Sequence, residues 1–199
     1  MDKRFQQLLL KYAENKTEAG RKKVEARLWE RFGVHKAVLV MDMSGFSRLT
    51  LKYGIVHYLS MVLRMQLVSQ PIIEQYGGQV IKFEADNCFA AFEQPIHAVE
   101  AAIALNLAFA SINLFTVEEL DIRVSIGIDI GDVLMIGGPD YFGKPVNVAS
   151  KLGEDIASPG EILVSKPAFQ QIPAEAGIKG KLLQISASGV EIAAYSVSF

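Results

Sequence analysis

The run Lys36-Ala-Val-Leu-Val-Met-Asp-Met43 constrains this chain more than any other segment. Five consecutive apolar residues, Ala37 to Met41, leave neither face of an extended segment for water, so the run reads as a buried strand. It ends in Asp42, a carboxylate at the carboxyl end of a strand, where ligands tend to bind. A chain of 199 residues with 50% hydrophobic content supplies one well-filled core around such a strand.

Charge divides the sequence. Residues 1–36 hold 10 of the 20 Lys and Arg but 5 of the 22 Asp and Glu, a balance of +5 against −7 for the remainder. Residues 1–35 therefore form a basic helical arm and residues 36–199 a second unit. The arm carries apolar stripes at Phe5, Leu8, Leu9 and Tyr12 and at Val24, Leu28, Trp29 and Phe32, with Gly20 and Gly33 as punctuation. It reads as a brace on its own domain or on a partner subunit. Membrane contact by this arm is disfavoured by Glu14, Glu18, Glu25 and Glu30 on its polar face. An overall net charge of −2 argues against a nucleic-acid partner. Cys88 has no disulfide partner, and His35, His57 and His97 have no zinc spacing. The amino terminus lacks a secretory signal, and "YLSMVLRMQLV" is broken by Arg64 and Gln66, so a cytoplasmic location is expected.

Beyond the first strand, "SGFSRLTLKYG" predicts a short helix capped by Ser44, and residues 55–78 a longer one, bent near Pro71 and ended by Gly77-Gly78. "QVIKFEADNCFAAF" predicts a hairpin turning at Ala85-Asp86-Asn87, followed by an Ala-rich helix opening at Pro95. "DIRVSIGIDIGDVLMIGG" predicts two strands turning at Gly131-Asp132, and residues 140–152 a turn and helix. "GEILVS", "KPAFQQI" and a closing hairpin complete the chain. The order implies an α+β fold: a ferredoxin-like (split βαβ), mostly antiparallel sheet with helices on one face.

No Gly-rich phosphate loop of either common kind is present, so a bound nucleotide would rely on metal and side chains. Asp42 and Asp86, on neighbouring loops at one sheet edge, suit hard divalent cations that take oxygen ligands. Either Asp alone is more often a turn or cap residue. Lys82 shares strand parity with Glu84, so a solvent-side ion pair is its simplest role. Asp140 reads equally as a turn cap and Lys151 as a solvated helix lysine.

Four segments in order, "VLVMDMSGFSRLT", "IKFEADNCFAAF", "RVSIGIDIGDVLMIGG" and "DYFGKPVNVASKLGEDIASPGEILVS", resemble the class III nucleotidyl cyclases, the adenylate and guanylate cyclase catalytic domains. The resemblance implies that Asp42 and Asp86, with the carbonyl of Met43, hold two Mg²⁺ or Mn²⁺ ions. It implies that Lys82 and Asp140 read the purine edge. A Lys and an Asp resemble the adenine-selective arrangement, whereas guanine-selective members tend to use a Glu and a Cys. Asn147 would orient the ribose and Lys151 would grip phosphate. It further implies a head-to-tail homodimer with two composite sites, the metal residues of one subunit facing the base-reading residues of the other. Lys82 and Asp86, four residues apart on a strand, lie roughly 13 Å apart when extended, too far to share one metal.

Three positions depart from the family pattern. Lys151 stands where Arg is usual, exchanging a planar fork for a point charge. Ala85 stands where Gly commonly precedes the second metal Asp, and Ser188, before Gly189, where a phosphate-binding Lys is common. The expected function is an adenylate cyclase that converts ATP to cyclic AMP. The rivals are a catalytically silent cyclase-homology module that signals by binding, and a cyclase for another nucleotide.

Overall fold

The computed structural model describes residues 2–137, 140–187 and 190–199, without the side chains of residues 46–48, 187 and 190. Strand β1 (Gly33–Met43) is the axis of the molecule. Residues Ala37 to Met41 are completely enclosed, as the apolar run requires. β1 pairs antiparallel on one side with β3 (Asn87–Phe92) and on the other with β4 (Val124–Met135). β2 (Gln79–Glu84) lies outside β3, giving the order β2-β3-β1-β4. With α3 (Phe46–Tyr53) and α4 (Ile55–Gln75) between β1 and β2, and α5 (Pro95–Asn113) between β3 and β4, this is the expected split βαβ arrangement. β6 (Ile162–Ser165) pairs parallel to β4, and the sheet ends in the hairpin of β7 (Lys179–Ala187) and β8 (Val190–Ser198). The two-residue β5 (Tyr141–Phe142) attaches to the end of β4.

Side-chain alternation along β1 builds two cores. Ala37, Leu39, Met41 and Met43 point to one face, where they meet Tyr58, Met61 and Met65 of α4 and Ala98, Ala102, Leu105 and Phe109 of α5. By length and mean hydropathy α5 is apolar enough to cross a bilayer. Here those residues pack against the sheet. Val38 and Val40 point to the other face and meet Phe89, Ala91, Val133, Tyr141 and Ala149. That second face is covered by α6 (Lys144–Ser150), so the long helices lie on one side, as expected, while a short one lies on the other.

α6 sits directly on the strands. A Cβ at Gly127 of β4 would lie 2.1 Å from the Ala149 carbonyl oxygen, and one at Gly153 would lie 2.7 Å from the Val40 carbonyl oxygen. Glycine at both positions is what permits the approach. α6 then continues into one π-type turn over Lys151–Ile156.

Three local expectations are corrected. The Gly131-Asp132 hairpin does not form: β4 runs unbroken from Val124 to Met135, paired with β1 from Met43↔Val124 to Gly33↔Leu134. An eleven-residue partner strand outweighs the local turn preference, and Gly131 instead leaves room for Pro145 of α6. Ser44 does not cap α3; the cap is Gly45, at φ +92°. Gly20 does not end a helix. The arm breaks at residues 15–17, between α1 (Lys3–Glu14) and α2 (Glu18–Phe32), where the Thr17 side chain accepts from the Gly20 N–H. Phe5, Leu28 and Phe32 of the two arm helices pack on Leu134 and Ile136, beyond the far end of the β1–β4 pair from Asp42.

The Gly127 contact gives a direct test. Gly127→Ala forces a methyl against the Ala149 carbonyl and is expected to destabilise the fold by about 1–3 kcal/mol, read as a lowered denaturant midpoint with unchanged slope.

Candidate active site

Asp42 follows Val38 and Val40 on the α6-facing row of β1, the first polar side chain beyond the enclosed run. The β2–β3 turn brings Asp86 beside it. Asp42 pairs across the ladder with Asn87, and the Met43 N–H donates to the Asp86 carbonyl at 3.2 Å. Met43 sends its side chain into the core. Ala85 holds φ +52°, a left-handed conformation that costs a non-glycine residue about 1–2 kcal/mol. The departure from Gly at this position therefore falls on a turn whose backbone favours glycine.

Burial, then the charges of Asp86 and Glu154, push the Asp42 carboxyl up to about 7. Glu154, in the π turn, is itself raised by partial burial, opposed by a hydrogen bond from Ser150 and reinforced by Asp155 and Asp86. On the opposite side the buried Tyr58 hydroxyl of α4 is pushed up to about 12, by burial and then by the charge of Asp86. Three carboxylates thus feel one another across the end of β1.

The donor set fits a hard cation. The Asn87 side-chain oxygen, on the same face as Asp42, is enclosed with no hydrogen-bond donor among the described residues. With the two Asp side chains it makes an all-oxygen surface. Among the described residues no three acidic, His or Cys side chains converge closely enough to hold a metal alone. Mg²⁺ characteristically binds through one or two carboxylates, completing its shell with water and substrate phosphate.

A second group forms further along the same face. Lys82 Nζ lies 3.3 Å from Asp140 Oδ1 and 2.7 Å from Glu84 Oε2, 4.9 Å above the Phe89 ring. Hydrogen bonding to Glu84 and then to Asp140 raises the Lys82 pKa against the opposing effect of burial. Both sequence readings of Lys82 are therefore present in the molecule, the Glu84 pair and the Asp140 pair. Asp140 is delivered by its neighbour: the Tyr141 ring is buried in the second core and its hydroxyl donates to the Ala90 carbonyl at 3.4 Å. The Tyr141 N–H in turn donates to Asp140 Oδ1 at 3.2 Å.

Asn147 is exposed on α6 and Lys151 is half-buried at its end. The Lys151 N–H donates to the Asn147 carbonyl, which keeps the two one turn apart. The seven expected residues thus fall into an acidic pair with Met43, a base-side pair, and a helix pair on α6. Asn87, Glu154 and Tyr58 were not anticipated. Asn87 was legible only as a turn residue, and Glu154 reaches the site through a π turn that periodicity does not reveal. Ser188 lies outside the described residues.

A model of the adenylate and guanylate cyclase catalytic domain matches residues 34–180. The chain belongs to this family. A Rhizobium meliloti protein named "Putative adenylate cyclase 3" is 33% identical over 129 residues, 65% of this chain and 22% of that protein. An uncharacterized Mycobacterium tuberculosis protein, Rv2212, is 27% identical over 132 residues, 66% of this chain and 33% of its own. The chain thus spans about a fifth to a third of these relatives. The adenylate/guanylate cyclase/hydrolase from Silicibacter pomeroyi superposes with TM-score 0.67 at 29% identity, over 83% of this chain and 96% of the other. The adenylyl cyclase CyaB of P. aeruginosa superposes with TM-score 0.70 at 22% identity, covering 84% and 96%, and supports the fold alone. The cyclase-family match begins at residue 34, so the arm helices lie outside it.

The raised Asp42 pKa has a consequence for stability. Between the ordinary carboxylate value and about 7 the folded state binds a proton that the unfolded state has released. Stability therefore falls as pH rises through that window. Without divalent cations, the wild type is expected to lose stability from pH 5 to pH 8 relative to Asp42→Asn, in denaturant melts at each pH. Added Mn²⁺ at pH 8 is expected to reverse the loss in the wild type only.

Proposed function

We propose that this cyclase-family chain is an adenylate cyclase that converts ATP to 3′,5′-cyclic AMP and pyrophosphate in a head-to-tail homodimer. The observation that carries the substrate is the Lys82–Asp140 pair at 3.3 Å. Adenine presents an acceptor at N1 and a donor at N6, and an ammonium beside a carboxylate complements that edge. In support, the catalytic core of a rhodopsin-guanylyl cyclase with converted specificity, described in complex with ATPαS, shares this fold at TM-score 0.71 and 18% identity, over 83% of this chain and 98% of that one.

In this reading Asp42 and Asp86, with the Met43 carbonyl, hold two divalent ions, Mg²⁺ or Mn²⁺. When bound, these neutralise the triphosphate and acidify the ribose 3′-hydroxyl. Lys82 and Asp140 fix the base, and Asn147 orients the ribose so that O3′ stands in line with the α-phosphorus. The 3′-hydroxyl passes its proton to water, the O3′–Pα bond forms, and the bond from Pα to the bridging oxygen breaks, releasing pyrophosphate. Lys151 meets the negative charge of that transition state as a point charge rather than a fork. The cyclase resemblance sets the acidic pair of one chain against the base-side pair of another, which gives two composite sites between two chains. A cytoplasmic, arm-braced dimer is the matching assembly.

A second reading, a silent module that binds nucleotide without turnover, is favoured by Lys151 and by the Glu84 carboxylate, which occupies Lys82 at 2.7 Å. Incubation with each of the four nucleoside triphosphates and Mn²⁺ decides between them. Cyclic AMP from ATP is expected, falling at least about a hundredfold in Asp42→Ala. Lys151→Arg is expected to raise the rate, by up to about a hundredfold. No cyclic product from any triphosphate, in either the wild type or Lys151→Arg, would sink the enzyme and leave the silent module.

A further inference from the structure

The arm is used by nothing in the proposed reaction. Between its helices lies a cleft of about 460 Å³ whose rim carries Lys11, Lys16, Lys23 and Arg27 and a single carboxylate, Glu14. Among the described residues none of these four cations forms an ion pair within 4 Å, whereas Lys22 on another side of α2 pairs with Glu18 at 2.7 Å. Lys23 and Arg27 stand one turn apart, a like-charge spacing that weakens a helix. The arrangement therefore concentrates positive charge where the arm itself supplies little to balance it.

One end of the cleft is lined by the linker between the helices. A Cβ at Gly20 would lie 1.9 Å from Asn15 Oδ1, so the absence of a side chain lets the linker amide fold over the first turn of α2. Val24, buried, forms its apolar floor. Four cations against one carboxylate, around a space of this size, suit a compact, highly charged anion. Arg27 offers a planar fork and the three lysines offer mobile point charges, both suited to phosphate oxygens.

We propose that this cleft between α1 and α2 binds an anion bearing clustered phosphates, held by Lys11, Lys16, Lys23 and Arg27. A free polyphosphate and a phosphorylated lipid headgroup share that chemistry. An extended nucleic acid would need a longer basic track than four side chains around a space of about 460 Å³.

The chain contains a single tryptophan, Trp29, partly exposed on α2 two residues beyond Arg27, so its emission reports on the arm and not on the cyclase site. Tripolyphosphate is titrated into the full chain in EDTA, followed by Trp29 emission and by isothermal calorimetry. A saturable response is expected, weakened at least about tenfold in Lys23→Ala/Arg27→Ala. The same variant is expected to melt no lower than wild type, since it removes a like-charge contact. Vesicles with and without phosphoinositide are run in parallel. Phosphoinositide-dependent sedimentation lost in the double variant assigns the phosphates to a lipid headgroup, and a response to tripolyphosphate alone assigns them to a soluble anion. No binding of either probe by calorimetry, emission or sedimentation overturns the proposal. So does equal binding by the double variant, or binding of an oligonucleotide without tripolyphosphate.

Discussion

Strand β1 is hydrogen-bonded along both edges and covered on both faces, and the position of every other element follows from that double enclosure. Its residues Ala37 to Met41 have no solvent side, so the first charged residue after them marks the edge of the core. That residue is Asp42. Its carboxyl sits where dehydration and two neighbouring acids favour the protonated form, a situation that a bound cation would reverse. The affinity of this point for positive charge is built into the same pairing that holds the sheet together.

The second face of the sheet organises the rest. Gly127 and Gly153 let α6 and its π turn lie against bare backbone, and Tyr141 anchors the segment that presents Asp140 to Lys82. The acidic group, the base-side pair and the α6 residues share this face, yet the first two are separated along β2. In the proposed dimer one chain would lend its acidic group to one nucleotide and its base-side pair to another. A head-to-tail pairing of two chains would bring unlike halves together, which is the physical content of the proposed dimer.

Much of this was legible in the residues. The Ala37–Met41 run identified the central strand because no polar position interrupts it, and the turn residues around Asp86 identified the adjoining hairpin. Lys82 and Asp140, 58 positions apart in the chain, were paired only through resemblance to a family, since no periodicity links a strand lysine to a distant turn. Gly131 misled because glycine before aspartate is a strong turn signal. What it serves is the close passage of Pro145, and the deciding factor was the length of a partner strand some ninety residues upstream. Glu154 and Asn87 were invisible for a related reason: a π turn and an unsatisfied amide oxygen are facts of three-dimensional packing. Gly20 looked like punctuation and is instead a point where the linker lies flat against α2.

The partners of β1 come late in the chain. Its first neighbour, β3, begins at Asn87, and its second, β4, is complete only at Met135. During synthesis β1 therefore waits, unpaired on one edge, until about ninety further residues have been made. Contacts so distant in sequence close slowly, and an exposed strand edge is a template for association with other chains. The arrangement that places a carboxylate at the edge of the core also makes its biogenesis the period of greatest exposure to aggregation.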